Sequence, residues 1–88
     1  MGRIAGLLFL ALPLLAAGAE LSDDQIRQTL IARSIAMYPG SCPCPYNVDR
    51  AGRRCGRRSA YSKPGGYAPL CYPADITPAM IVSYRAGQ

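Results

Sequence analysis

The chain has 88 residues, ten of them basic and five acidic, with four cysteines and no histidine. A chain this short supports one domain with a small apolar core. The missing histidine excludes histidine-based triads and histidine metal sites, and the formal net charge of +5 favours anionic partners.

The chain opens with Met1-Gly2-Arg3, one positive charge ahead of an apolar run over residues 4–15 that is broken only by Gly6 and Pro13. Ala17-Gly18-Ala19 then puts small residues where a signal peptidase reads them. This is the three-part pattern of a secretory signal, with cleavage expected after Ala19. The apolar run is too short for a membrane-spanning helix, which needs roughly 20 residues. No cysteine stands at the cut, which argues against a lipid-anchored lipoprotein. The expected product covers residues 20–88, is secreted or periplasmic, and relies on disulfides for stability that its core does not supply.

Leu21-Ser22-Asp23-Asp24-Gln25-Ile26 has the signature of a helix start. Ser22 and Gln25 are spaced for a capping box, and Leu21 and Ile26 for the apolar staple beside it. Asp23 and Asp24 lie in the first turn, where the helix dipole favours negative charge. Ile26, Leu30, Ile31, Ile35, Met37 and Tyr38 follow helical spacing. Pro39-Gly40 ends the segment. The apolar face is expected to cover the cysteine region, because its polar face is too mixed in charge for a membrane surface.

Residues 41–75 hold all four cysteines and most of the Pro and Gly. An irregular region with a small two-stranded ribbon is expected. A bridge between Cys42 and Cys44 closes a strained ring, so each is expected to pair elsewhere. Two connectivities are sensible: Cys42–Cys71 with Cys44–Cys55, or Cys42–Cys55 with Cys44–Cys71. The first, with a short loop nested in a longer one, is slightly favoured, and spacing alone leaves both open. Zinc is disfavoured, since only one close cysteine pair exists.

Asn47-Val48-Asp49-Arg50-Ala51-Gly52 puts oxygens and a glycine where a calcium loop has some of its own. Ala51 offers no side-chain oxygen, and Arg58 stands where the closing Glu belongs. The segment bears a degenerate resemblance to the D-x-D-x-D-G-x-x-C-E motif of excalibur-type extracellular calcium modules, with Cys55 in register. An Asx turn at Asn47 or Asp49 is the expected reading.

Arg50, Arg53, Arg54, Arg57, Arg58 and Lys63 make the strongest charge feature, interleaved with Tyr46, Tyr61, Tyr67 and Tyr72. Arginine with aromatic side chains suits phosphate contact and base stacking. The alternative is a solvated loop, with the tyrosines packed over the disulfides. The candidate polyanion-binding residues are Arg53, Arg54, Arg57, Arg58, Lys63 and Tyr61. The whole stretch, C-P-C-P-Y-N-x-D-R-x-G-x-x-C-G-x-R-S-A-Y-S-K-P-G-G, resembles a cysteine motif of small exported bacterial proteins of unknown function. The resemblance reaches over residues 42–71 and brings no activity with it.

Asp75-Ile76-Thr77-Pro78 is a second helix start, with Thr77 as cap and Pro78 in the first helical position. Ile76 and Ile81 repeat the staple, Met80, Ile81 and Tyr84 form an apolar face, and Gly87 closes the helix. So short a helix must dock, and the leading helix is the expected partner.

The expected fold is therefore a small disulfide-rich, α-plus-irregular domain. It comprises an N-terminal helix (20–40), a cysteine-stapled Pro/Gly-rich loop region (41–75) and a short C-terminal helix (76–88). No catalytic constellation, cofactor or metal is expected. The leading functional expectation is an anionic partner, nucleic acid or a cell-envelope polymer, bound through the basic loop. The second is an accessory role, with a protein partner on the helix face. A thiol–disulfide role for Cys42-Pro43-Cys44 comes third.

Overall fold

The computed structural model describes residues 20–87. The expected signal segment and its cut after Ala19 lie outside the described residues, as does Gln88. Helix α1 is Asp23–Met37. The Gln25 amide donates to Ser22 Oγ at 3.1 Å, and the Ser22 amide donates to Gln25 Oε1 at 2.7 Å. The capping box thus satisfies two amides that the first turn leaves without helical partners. Tyr38 ends the helix in extended conformation just ahead of Pro39.

Helix α2 is Pro78–Ala86. The Met80 amide donates to Thr77 Oγ1 at 3.2 Å, and the Gly87 amide reaches back to Ser83 and Tyr84 carbonyls, both at 3.2 Å. As expected, α2 docks on α1. Ile26 and Ile31 of α1 meet Ile76 and Ile81, all buried, and Leu30, Ile35, Leu70, Met80 and Tyr84 pack around them. Each buried isoleucine contributes about 2 kcal/mol by leaving water. Arg85, near the end of α2, donates to the Leu21 carbonyl at 3.0 Å and to Asp23 Oδ1 at 2.6 Å. It ties the last turn of one helix to the first turn of the other. Arg33 lies over the Tyr84 ring, 5.0 Å from its centroid.

Met37 departs from expectation. It shares the helical spacing of the apolar face but is 80% exposed. A nine-residue helix spans only about 13.5 Å. Pinned by Arg85 to the start of α1, α2 does not reach the last turn. The α1 face covers Ile76, Ile81 and Leu70, with Ser34 Oγ accepting from the Leu70 amide at 2.7 Å. It touches the cysteine region chiefly through that one strand of chain and the short 3₁₀ turn Pro73–Asp75.

Among the described residues there is no strand; a single antiparallel bridge, Val48 to Arg54, stands in for the expected ribbon. A second 3₁₀ turn, Gly56–Arg58, follows it. The disulfides are Cys42–Cys55 and Cys44–Cys71. The favoured nested pairing, Cys42–Cys71 with Cys44–Cys55, is therefore corrected to the interlaced one. The cause is a tight turn. The Asn47 amide donates to the Cys44 carbonyl at 3.0 Å, and the Cys44 amide to Asn47 Oδ1 at 2.9 Å. This aims Cys44 at the incoming chain, with its Sγ 4.0 Å from the Leu70 carbonyl oxygen. Cys55 instead lies against Ser41, its Sγ 3.9 Å from that carbonyl oxygen, beside Cys42. Cys42 and Cys44 thus bridge to different partners, and no free cysteine remains, which removes the zinc alternative.

Candidate functional site

Arg50, Arg53 and Arg54 are carried by a hairpin pinned at its base by Cys42–Cys55, and Arg57 and Arg58 follow it in the turn Gly56–Arg58. Asn47 accepts from the Cys55 amide at 2.8 Å, Pro45 accepts from the Gly56 amide at 2.9 Å, and Arg53 accepts from the Asp49 amide at 2.8 Å. At the tip, Asp49 Oδ1 accepts from the amides of Ala51 and Arg53, both at 2.9 Å. This is the expected Asx turn. Gly52 completes it at φ 81°, a conformation that a side chain disfavours.

The same hydrogen bonds occupy the oxygens on which the calcium resemblance rests. Asn47 Oδ1 is taken by the Cys44 amide, and Asp49 by two amides and by Arg58, whose Nη2 stands 3.0 Å from Oδ2. The carboxyl of Asp49 is held below its ordinary range, first by the Arg53 amide and then by Arg58 and the Ala51 amide, against a smaller upward push from partial burial. No group of three or more His, Cys, Asp or Glu among the described residues is placed to hold a metal ion.

Arg50, Arg53, Arg54, Arg57, Arg58 and Lys63 are all exposed. Arg58 is tied into the hairpin, since it pairs with Asp49 and donates to the Arg54 carbonyl at 2.9 Å. Among the described residues, Arg50, Arg53, Arg54 and Arg57 form no ion pair with a carboxylate. Lys63 follows the hairpin in sequence and lines a small pocket with Tyr38, Pro64 and Tyr67. Of the six candidate residues, the hairpin therefore carries Arg53 and Arg54, Arg57 follows just past its base, Arg58 braces it, and Arg50 adds a further cation at its tip.

Tyr61, the remaining candidate, belongs to a cluster that spacing did not reveal. Its hydroxyl donates to Asp75 Oδ1 at 2.9 Å. Asp75 Oδ2 accepts from the amides of Cys71 and Tyr72, both at 2.9 Å. Tyr46 donates its hydroxyl to the Cys71 carbonyl at 2.7 Å. The rings of Tyr46 and Tyr61 then meet Tyr72 edge to face, at 5.5 and 5.4 Å between centroids. Partial burial pushes the Asp75 carboxyl up, but the Cys71 and Tyr72 amides and the Tyr61 hydroxyl outweigh it, and the net direction is down. Tyr61 is raised, chiefly by its bond to Asp75, and Tyr46 is raised, chiefly by burial. Both phenols stay neutral at physiological pH. The hint available in sequence was Asp75 itself, four residues after Cys71, but it reads equally well as part of the second helix start.

A second surface lies between the helices. Leu30, Leu70, Met80 and Tyr84 line a broad open groove with Arg33 and Ser83 at its edge. No helix among the described residues is long and apolar enough to cross a membrane. Comparison of the chain with protein-family models, with curated proteins and with solved structures returned no match.

Proposed function

We propose that this protein is a non-enzymatic binding module of an exported, oxidising environment, and that its arginine hairpin holds an anionic polymer. The observation that carries the reading is a set of four exposed arginines on disulfide-closed loops, Arg50, Arg53, Arg54 and Arg57, which pair with no carboxylate among the described residues. Like charges this close repel one another, and a polyanion relieves that repulsion while releasing its own counterions. Guanidinium forks also match phosphate and sulfate oxygens in pairs. The two disulfides support the oxidising compartment. The likeness of residues 42–71 to small exported bacterial proteins fits the same setting.

Retention of the full chain on immobilised heparin or nucleic acid, followed against salt, tests the reading. Four phosphate contacts give a slope of about −3.6 for log affinity against log salt on duplex DNA. Replacing Arg50, Arg53, Arg54 and Arg57 together by Ser is expected to bring the slope near zero while the helical spectrum survives. Wild-type protein that binds no polyanion at low salt overturns the proposal. The groove between the helices would then become the leading surface, with an apolar protein segment as its partner.

A further inference from the structure

We propose that Tyr46, Tyr61 and Tyr72 form a stacking platform beside the arginine hairpin, and that the polymer this site selects is single-stranded nucleic acid. The inference rests on the polyanion reading above and names its ligand class.

The platform is built next to the arginines. Pro45 accepts from the Gly56 amide at 2.9 Å, so Tyr46 and Arg57 each follow directly on residues in contact. Pro43 accepts from the Tyr61 amide at 3.0 Å, which brings the third strand of chain to the same base. Tyr72 follows Cys71, whose bridge to Cys44 closes the assembly. All three residues are partly exposed, at 41%, 38% and 38% for Tyr46, Tyr61 and Tyr72. They are also fixed, by the hydroxyl bonds of Tyr46 and Tyr61 and by edge-to-face contact with Tyr72. A fixed ring loses little freedom when a ligand settles on it.

What the platform lacks decides between ligands. The hydroxyls of Tyr46 and Tyr61 point inward to protein acceptors, and both Asp75 oxygens are taken by protein donors. A glycan needs several converging polar groups for its own hydroxyls, and here the Tyr46 and Tyr61 hydroxyls and both Asp75 oxygens are already bonded to protein. A nucleobase needs only a π-face, which every base has, so such a surface is tolerant of sequence. Paired bases keep their faces inside the duplex, and unpaired ones can be splayed onto aromatic rings. Aromatic rings beside guanidinium groups suit a polymer that alternates phosphate with base.

The test compares four ligands on the full, oxidised chain at one ionic strength: an oligothymidine, an abasic oligomer of equal length, a duplex of equal length, and heparin. The oligothymidine is expected to bind about tenfold or more tighter than the abasic oligomer, because each stacked base strengthens binding by roughly that factor. The chain has no tryptophan, so its intrinsic emission comes from tyrosine and should be quenched by the oligothymidine and not by the abasic oligomer. Tyr72→Leu is expected to remove the preference for bases and leave heparin retention intact, while Tyr72→Phe keeps both. Equal affinity for abasic and base-bearing oligomers overturns the inference and leaves the polyanion reading standing. Tighter binding to heparin or to duplex than to the single strand does the same. Failure of all four ligands to bind removes both. The wild-type panel decides the matter even if a tyrosine variant does not fold.

Discussion

The two halves of this small chain are held by different forces. The helix pair is ordered by sequence-local caps and by four buried isoleucines that meet across α1, α2 and the turn between. The cysteine half has almost no aliphatic core. Its buried residues are Cys44, Cys55, Cys71 and Ser59 together with prolines. Order there comes from two disulfides and from carboxylate, amide and phenol bonds among Asn47, Asp49, Tyr46, Tyr61 and Asp75. The apolar half holds no cysteine of its own, and the polar half leaves most of its cations facing solvent. Burying six basic side chains in the first kind of structure would be very costly; displaying them on the second is not.

Removing the bridge that joins the halves is the hardest blow to this division. Cys44–Cys71 ties the hairpin base to the residue beside Leu70, which packs on α1. The double replacement Cys44→Ala, Cys71→Ala is expected to lose about 4 kcal/mol and to lower the Tm of both halves together in denaturation followed by circular dichroism. Replacing Cys42 and Cys55 instead should loosen the hairpin and spare most of the helical signal. Helices that melt equally in both variants would show that the halves are not separable.

Ile26→Ala strikes the apolar half alone, with an expected loss of about 3 kcal/mol. Urea titration measures it, and the hairpin arginines should still bind in the fraction that remains folded. Asp75→Asn strikes the polar half, since it weakens three hydrogen bonds that its charge strengthens; about 1–2 kcal/mol is expected at neutral pH. The pH dependence follows from the direction of its shift. The folded carboxyl lies below the unfolded value near 3.9, so its stabilisation is fully present above that value. It is lost as pH falls through the folded pKa. Asp49 acts with the same sign. Acid titration should therefore disturb the tyrosine spectrum below about pH 4, and Asp75→Asn should flatten that response. The smallest effect is expected from Ser22→Ala, about 1 kcal/mol of helix stability through the lost cap.

Local signals made the helical half legible. Ser22 and Gln25, Thr77 and Pro78, and the Pro39-Gly40 stop each act within four residues, and each appears in the structure where spacing put it. The exposed end of α1 at Met37 was hidden, because it depends on where α2 stops and on Arg85 reaching Asp23 across 62 positions. In the cysteine half, the Asx turn at Asp49 was readable for the same local reason. The disulfide pairing was not, because a turn at Asn47 decides which way Cys44 faces and counting residues between cysteines carries no such information. Asp75 was missed as an organiser of tyrosines, since its partner Tyr61 lies 14 positions away.

The interlaced bridges have a consequence for survival against proteases. Residues 44–55 lie inside both covalent loops, and residues 56–70 inside the larger one. A protease that cleaves after arginine finds exposed targets at Arg50, Arg53 and Arg54 in the doubly spanned stretch, and at Arg57 and Arg58 in the singly spanned one. A cut at any of these leaves the two pieces joined. The nicked chain gains only the mass of one water and parts into fragments when reductant is added. The stretch richest in cleavage sites is thus the one where a broken backbone does not separate the molecule.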